Sequence, residues 1–234
     1  MSATEISRVP RTKQQAKATY DRLSRWYDLL AGSSEQRFVR LGLENLAAAK
    51  GERVLEIGFG TGHALVALAQ AVGESGQVWG IDISEGMCTL AQETVEKAGV
   101  AGRVELRLGD AAHLPFEDRF FHAIFMSFTL ELFDTPEIPV VLAQCRRVLR
   151  SGGRLAVVAL SKQGDDGPML QLYEWAHEKM PKYVDCRPIY ARQSLEEAGF
   201  LVVEAQVKSM WGLPVEIIVA KNSLKAGDHK EGVA

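Results

Sequence analysis

Residues 54–65 read VLEIGFGTGHAL: an apolar run holding one carboxylate, Glu56, then Gly58, Gly60 and Gly62 at every second position, then His63. Glycines between an apolar run and the helical pattern HALVALAQAV let the chain turn tightly and let a ligand approach main-chain amides at a helix N-terminus. Such a turn suits many ligands, so spacing and charge must discriminate. The dinucleotide fingerprint is G-x-G-x-x-G; here the third glycine comes one residue early and His63 occupies the slot. Glu56 falls near the carboxyl end of its strand, where ligands of open α/β sheets bind, and its charge would repel a pyrophosphate and attract a cation. A second acidic residue, Asp82, lies about 20 residues further on, where it can accept from both hydroxyls of a ribose.

These residues need a parallel sheet to hold them. Short β-rich runs at 53–58, 77–82, 103–109, 120–127 and 153–160 alternate with helical stretches at about 61–73, 84–98 and 136–150. That alternation predicts βαβ units with helices on both faces. Residues 201–211 and 215–221 read as two strands joined by a tight turn at Gly212, hence an antiparallel pair at the sheet edge. Before the first strand, Tyr20, Leu23, Trp26, Tyr27 and Leu30 mark one amphipathic helix, and Phe38, Leu41, Leu43 and Leu46 a second. The aromatic-rich stretch 161–199, with helices expected near 168–179 and 190–198, is read as a lid.

With these elements in place, LEIGFGTG resembles motif I of the class I S-adenosylmethionine-dependent methyltransferases, an acidic residue followed by G-x-G-x-G. The charge argument agrees, because S-adenosylmethionine carries a sulfonium and an ammonium and no phosphate. GIDISEGM resembles that family's second-strand motif, which implies that Asp82, Ile83 and Met87 contact the adenosine, with Met87 on the adenine. GDAAHLPFEDRFFHAIFMS resembles the next segment, implying that Asp110 accepts from the adenine amino group and that Ala111 lends its amide to the ring. RRVLRSGGRLAVVAL matches the run into the fifth strand. The implied fold is α/β and Rossmann-like: a seven-stranded, mostly parallel sheet with an antiparallel last strand, which the terminal hairpin independently suggests.

ATYDRLSRWYDLL resembles the N-terminal helix of ubiquinone and menaquinone methyltransferase-like proteins and of bacterial phospholipid N-methyltransferases. The resemblance implies a helix closing over the cofactor, with Tyr20 or Tyr27 near its methionine end; an aromatic face there adds about 0.5 to 2 kcal/mol of cation-π attraction. Both tyrosines are equally at home in an apolar stripe. His63 is expected to line the methionine end, and Ser127 and Phe128 to border the cofactor. Thr129 or Glu131 faces the acceptor or caps a helix. In the lid, Tyr173, His177, Arg187 and Tyr190 are polar candidates, and Arg187 suits a carboxylate or phosphate. Tyr27, Glu131, His177, Arg187 and Tyr190 are therefore the candidates for catalysis. His113 and His122 read as structural, and no His/Cys/Asp cluster suggests a metal.

The chain of 234 residues is expected to form one domain: an N-terminal helical cap (1–50), a cofactor-binding core (51–160), the lid (161–199), the terminal hairpin (200–221) and a flexible tail (222–234). A formal net charge of −3 offers no basic excess for nucleic acid phosphates, so a nucleic-acid acceptor is disfavoured, and a protein acceptor likewise, relative to a small or lipid-like one. Cys88, Cys145 and Cys186 show neither C-x-x-C spacing nor an even count, which suits reduced thiols in the cytoplasm. No apolar run reaches the ~18 residues of a spanning helix, leaving at most peripheral membrane contact. Two other classes stand beside the enzyme: a subunit that keeps the cofactor pocket as a scaffold, and an NAD(P)-dependent oxidoreductase, which the glycine spacing and Glu56 disfavour.

Overall fold

A computed structural model describes residues 32–163, 173 and 186–223. Seven strands form one sheet in the order β3-β2-β1-β4-β5-β7-β6. They are β1 (Arg53–Ile57), β2 (Gln77–Asp82), β3 (Val104–Leu108), β4 (Phe121–Ser127), β5 (Leu149–Leu160), β6 (Leu201–Met210) and β7 (Leu213–Lys221). The first five run parallel, and β7 pairs antiparallel with both β5 and β6. The expected hairpin is present, but its second strand lies inside the sheet and its first forms the edge. The chain steps from β1 outward to β2 and β3, then returns past β1 to β4, so the strand order reverses between β1 and β4 and a crevice opens at their carboxyl ends.

Among the described residues five helices cover the two faces: α1 (Gly32–Leu46), α2 (His63–Val72), α3 (Glu85–Lys97), α4 (Ile138–Val148) and α5 (Ala191–Glu197). One core layer joins Phe38 and Leu46 of α1, Leu65 and Leu68 of α2 and Ala91 and Val95 of α3 to Val54, Phe125 and Val158. The other joins Val141, Leu142 and Cys145 of α4 and Leu195 of α5 to Leu55, Ile124 and Val157. Alternate residues of the central strands thus feed opposite layers, which is why these strands read as continuous apolar runs.

Two expected accessory segments turn out to be core. The second helix of the N-terminal cap, α1, lies flat on β4, β5 and β7, because Gly42 lets its backbone approach. A methyl on Gly42 would come within 2.5 Å of Val158 Cγ2 and 3.0 Å of Phe125. The far end of the lid reading is also core: Ile189, Ala191 and Leu195 are fully buried, and Ile189 extends the sheet by a parallel bridge to Ser161. The first amphipathic helix, the 168–179 stretch apart from Tyr173 and the tail beyond residue 223 lie outside the described residues.

Arg154, near the start of the straight part of β5, fastens α1 in place. Its guanidinium donates to the Leu46 carbonyl at 2.9 Å and pairs with Glu52 at 2.6 Å. Burial pushes the Glu52 carboxyl up, but the Arg154 hydrogen bond and the Ala49 amide outweigh it, so the group titrates below its ordinary value. That contribution is complete above pH 4.5 and is lost as pH falls through the lowered value. Arg154→Met should cost about 2 to 4 kcal/mol in urea unfolding at pH 7, a loss that shrinks toward acid pH. Gly42→Leu should cost about 1 to 3 kcal/mol by overpacking, at any pH. A pH-independent Arg154→Met penalty would contradict the assignment to Glu52.

Candidate active site

The glycine turn leaves β1 at the crevice and runs into α2. Gly58 donates to the Ile81 carbonyl of β2 at 2.8 Å and has φ 72°, a conformation that favours glycine. A side chain at Gly58 would also overlap Thr129, which stands against the turn from the β4 side with its hydroxyl on the Ser127 carbonyl at 2.9 Å. Gly60, with φ 50°, differs: a Cβ there would meet nothing within 4 Å, so this face of the turn is open backbone. Phe59 supports the turn from below, its ring filling the space over Gly80 where β2 has no side chain. Sequence reasoning passed over Phe59; the signal was Gly80 in QVWGID, which pairs with Glu56 across the strands.

Two carboxylates share this face. Glu56 is 2% exposed, and its Oε2 is buried without a hydrogen-bond partner. Burial, then the nearby charge of Asp82, holds its carboxyl well above the ordinary value. Asp82 is better provided: Oδ1 accepts from the Ser84 amide at 2.9 Å and Oδ2 from the Gly60 amide at 3.2 Å. Ser84 in turn caps α3, accepting from the Met87 amide at 3.1 Å. The crevice therefore contains a desolvated acid facing another acid, an arrangement that a cation would relieve.

The remaining expected residues divide into those at the crevice and those held elsewhere. Ile83 is half-buried beside Asp82, whereas Met87 is only 2% exposed and belongs to the core layer under α3. Asp110 caps the short turn Ala111–His113 by accepting from the Ala112 amide at 2.9 Å, and Ala111 is buried behind it. Ser127 is half-buried at the end of β4, and Phe128, at φ 49° and 7% exposed, donates to the Val158 carbonyl at 2.7 Å. His63 opens α2 and is exposed.

Two candidates for catalysis are structural instead. Glu131 is fully buried and accepts from the Leu160 amide at 3.1 Å, joining the loop after β4 to β5. Arg187 is fully buried and donates to the Phe133 carbonyl at 2.7 Å and to Thr135 Oγ1 at 3.2 Å, so its fork is committed to the protein and not offered to an anion. In both cases burial and partner are decided by residues distant in the chain, so only the tertiary fold reveals them. Tyr190 is half-buried at the start of α5, beside the Ser161 bridge, and Tyr173 is half-buried against the α1 layer. Tyr20, Tyr27 and His177 lie outside the described residues. Among the described residues no cluster of His, Cys, Asp or Glu could hold a metal ion, and no helix is long and apolar enough to cross a membrane.

Comparison with known proteins meets this geometry. A family model described as a methyltransferase domain matches residues 54–153, the span from β1 into β5. A demethylmenaquinone methyltransferase of Staphylococcus aureus is 32% identical over 196 residues, covering 81% of this chain and 76% of that protein. This chain belongs to the S-adenosylmethionine-dependent methyltransferases. The ubiquinone/menaquinone biosynthesis C-methyltransferase UbiE of Vibrio vulnificus is 30% identical over 179 residues, 76% of this chain; the chain spans 66% of that relative's length. A solved methyltransferase from Aquifex aeolicus superposes with a TM-score of 0.61 at 26% identity, over 88% of this chain and 97% of that one. The cofactor is accordingly S-adenosylmethionine, and the residues suit it: an unmatched buried carboxylate oxygen on Glu56, an open backbone face at Gly60 and an anchored carboxylate at Asp82.

The raised Glu56 has a measurable consequence in the protein without ligand. The folded state keeps this proton to higher pH than the unfolded chain does, so the associated stability is present below pH 4.5 and is lost as pH rises through the folded value. Glu56→Gln should therefore match the parent in urea unfolding near pH 4.5 and exceed it increasingly toward pH 8. A difference that does not grow with pH would contradict the burial account.

Proposed function

We propose that this methyltransferase seats the amino-acid tail of its cofactor against Glu56 and the ribose on Asp82, and delivers the methyl group to a small or lipid-like acceptor of the quinol type. The buried, unpartnered Oε2 of Glu56 carries the cofactor half of this reading. An ammonium placed there would supply both the missing hydrogen bond and the missing counter-charge, and would draw the carboxyl down toward its ordinary value. Asp82 would accept from ribose hydroxyls while its Gly60 and Ser84 contacts hold the carboxylate in position. Ile83, Ala111 and Asp110 would border the adenine, and the main chain at Gly60 would lie against the sugar and sulfur.

When bound, the cofactor supplies a methyl group on a sulfonium, a donor that needs no further activation. The chain's own work is then to position the acceptor and exclude water, which accounts for several kcal/mol of a displacement barrier. Ser127, Phe128 and Thr129, gathered where β4 meets the crevice, would form the wall between the two ligands. Where the acceptor must lose a proton, Tyr27, His177 and Tyr190 remain as the base, since Glu131 and Arg187 are engaged with backbone groups.

The acceptor half rests on the relatives, named for ubiquinone and menaquinone biosynthesis and for demethylmenaquinone, and on the resemblance of residues 18–30 to the helix of such proteins. Two measurements separate the halves. S-adenosylhomocysteine should raise the melting temperature of the parent, and Glu56→Gln should weaken its affinity roughly 10- to 100-fold with the fold retained, the loss of about one charge-assisted hydrogen bond. Unchanged affinity in Glu56→Gln would remove the assignment of Glu56. Separately, labelled methyl transfer should occur to a demethylmenaquinone and not to phosphatidylethanolamine. The reverse preference would replace the quinol reading with a phospholipid one, and cofactor binding without transfer to any acceptor would favour a scaffold.

A further inference from the structure

The sheet has a second functional-looking edge. At the amino ends of the strands, opposite the crevice, a cavity of about 500 Å³ is lined by Gly51, Arg53, Ser75, Gln77, Arg103 and His122, with Glu74 and two more glycines completing it. Its size is within the range of small-ligand sites, roughly 300 to 1,000 Å³. Strand β1 spans the distance between the two edges, roughly 13 Å at 3.3 Å per residue, so this cavity shares no residue with the cofactor crevice.

The lining is rich in donors and cationic. Arg103 belongs to the short turn before β3; its Nε is buried with no hydrogen-bond partner, and it forms no ion pair among the described residues. Arg53 forms none either; its guanidinium lies 4.4 Å from the centroid of the Phe120 ring, which holds it flat. His122 Nδ1 accepts from the Arg53 amide at 3.1 Å, so in the neutral ring the proton is on Nε2, a further donor. Burial, then the charge of Arg150, favours that neutral form. Ser75 and Gln77 add a hydroxyl and an amide, both exposed. Nearby Arg154 is occupied by Glu52 and takes no part. The one carboxylate, Glu74, is exposed. Gly102 has no atom within 4 Å of where a Cβ would stand, so the space beside Arg103 is open.

We propose that this cavity binds a phosphate group, two guanidiniums and a histidine donor matching a dianion better than the single charge of a carboxylate. The phosphate comes from a small phosphate ester or from free phosphate. The site is independent of the methyl-transfer reading, since neither its residues nor its ligand enters that chemistry.

Calorimetric titration of the full chain with inorganic phosphate and with glycerol 3-phosphate, at low salt, tests it. Saturable one-to-one binding is expected, weakened at least 10-fold in Arg103→Gln and in Gly102→Glu, which puts a carboxylate into the open space. Both variants should keep the parent's S-adenosylhomocysteine affinity, which shows that they fold and that only this edge has changed. Tighter glycerol 3-phosphate than phosphate assigns the ligand to the esters; an affinity no tighter assigns it to free phosphate. No saturable binding of either, unchanged affinity in Arg103→Gln, or equal displacement by sodium chloride at matched ionic strength would overturn the site.

Discussion

Much of the crevice follows from one constraint: a carboxylate is buried on the central strand with one oxygen unmatched. Glu56 can be accommodated there because its neighbour on β2 is Gly80, which adds no side chain to the face they share. Phe59 then fills the space over Gly80, and in doing so props the glycine turn that bends away from β1. On the other side Thr129 fills the space that Gly58 leaves. The glycines, the aromatic ring and the threonine are thus one arrangement, built around an acid that the fold desolvates without supplying a counter-charge. A hydrophobic residue at position 56 would satisfy the core better; a buried acid is an expense that a ligand offsets.

The alternation of strands and helices, the terminal hairpin and the glycine turn were legible in the sequence, because each depends on local periodicity or on spacing within a few residues, whereas the seven-stranded sheet was implied by the family resemblance. The charge of Glu56 was legible for the same reason: one acid in an apolar run announces itself. What the sequence did not show was which polar side chains would be buried by distant parts of the chain. Arg187 looked available for an anion until Phe133 and Thr135, more than 50 residues away, took up its guanidinium. Glu131 looked like a crevice acid until the Leu160 amide claimed it.

The surfaces that the accessory segments cover are set by contacts of the same distant kind. Amphipathic helices before and after a cofactor core suggest caps and lids, since nothing in their pattern names the surface they cover. For α1 the deciding residue is Gly42, which would ordinarily count against a helix by roughly 1 kcal/mol. Its value lies in packing, because the missing side chain lets the helix rest on Val158 and Phe125. For α5 the decision comes from Ile189, whose pairing with Ser161 brings the chain back onto the sheet before the helix begins. In both cases the element was readable and its partner was not.

The two acids of the crevice also show how the fold distributes roles between similar groups. Asp82 stands at the start of α3, where amides from Ser84 and from the Gly60 turn point at it, so its charge is compensated by the protein alone. Glu56 lies one strand over and four residues short of the turn's open backbone, and no amide reaches its Oε2. The first acid is permanently provided for and can organise the loop whether or not a ligand is present. The second is provided for only when something positive arrives, and Asp82 makes the absence of a cation more costly by adding its own repulsion. Selectivity for a positively charged ligand is therefore a property of the pair: a cation relieves both acids at once, whereas an anion in the same place would be repelled and would relieve neither.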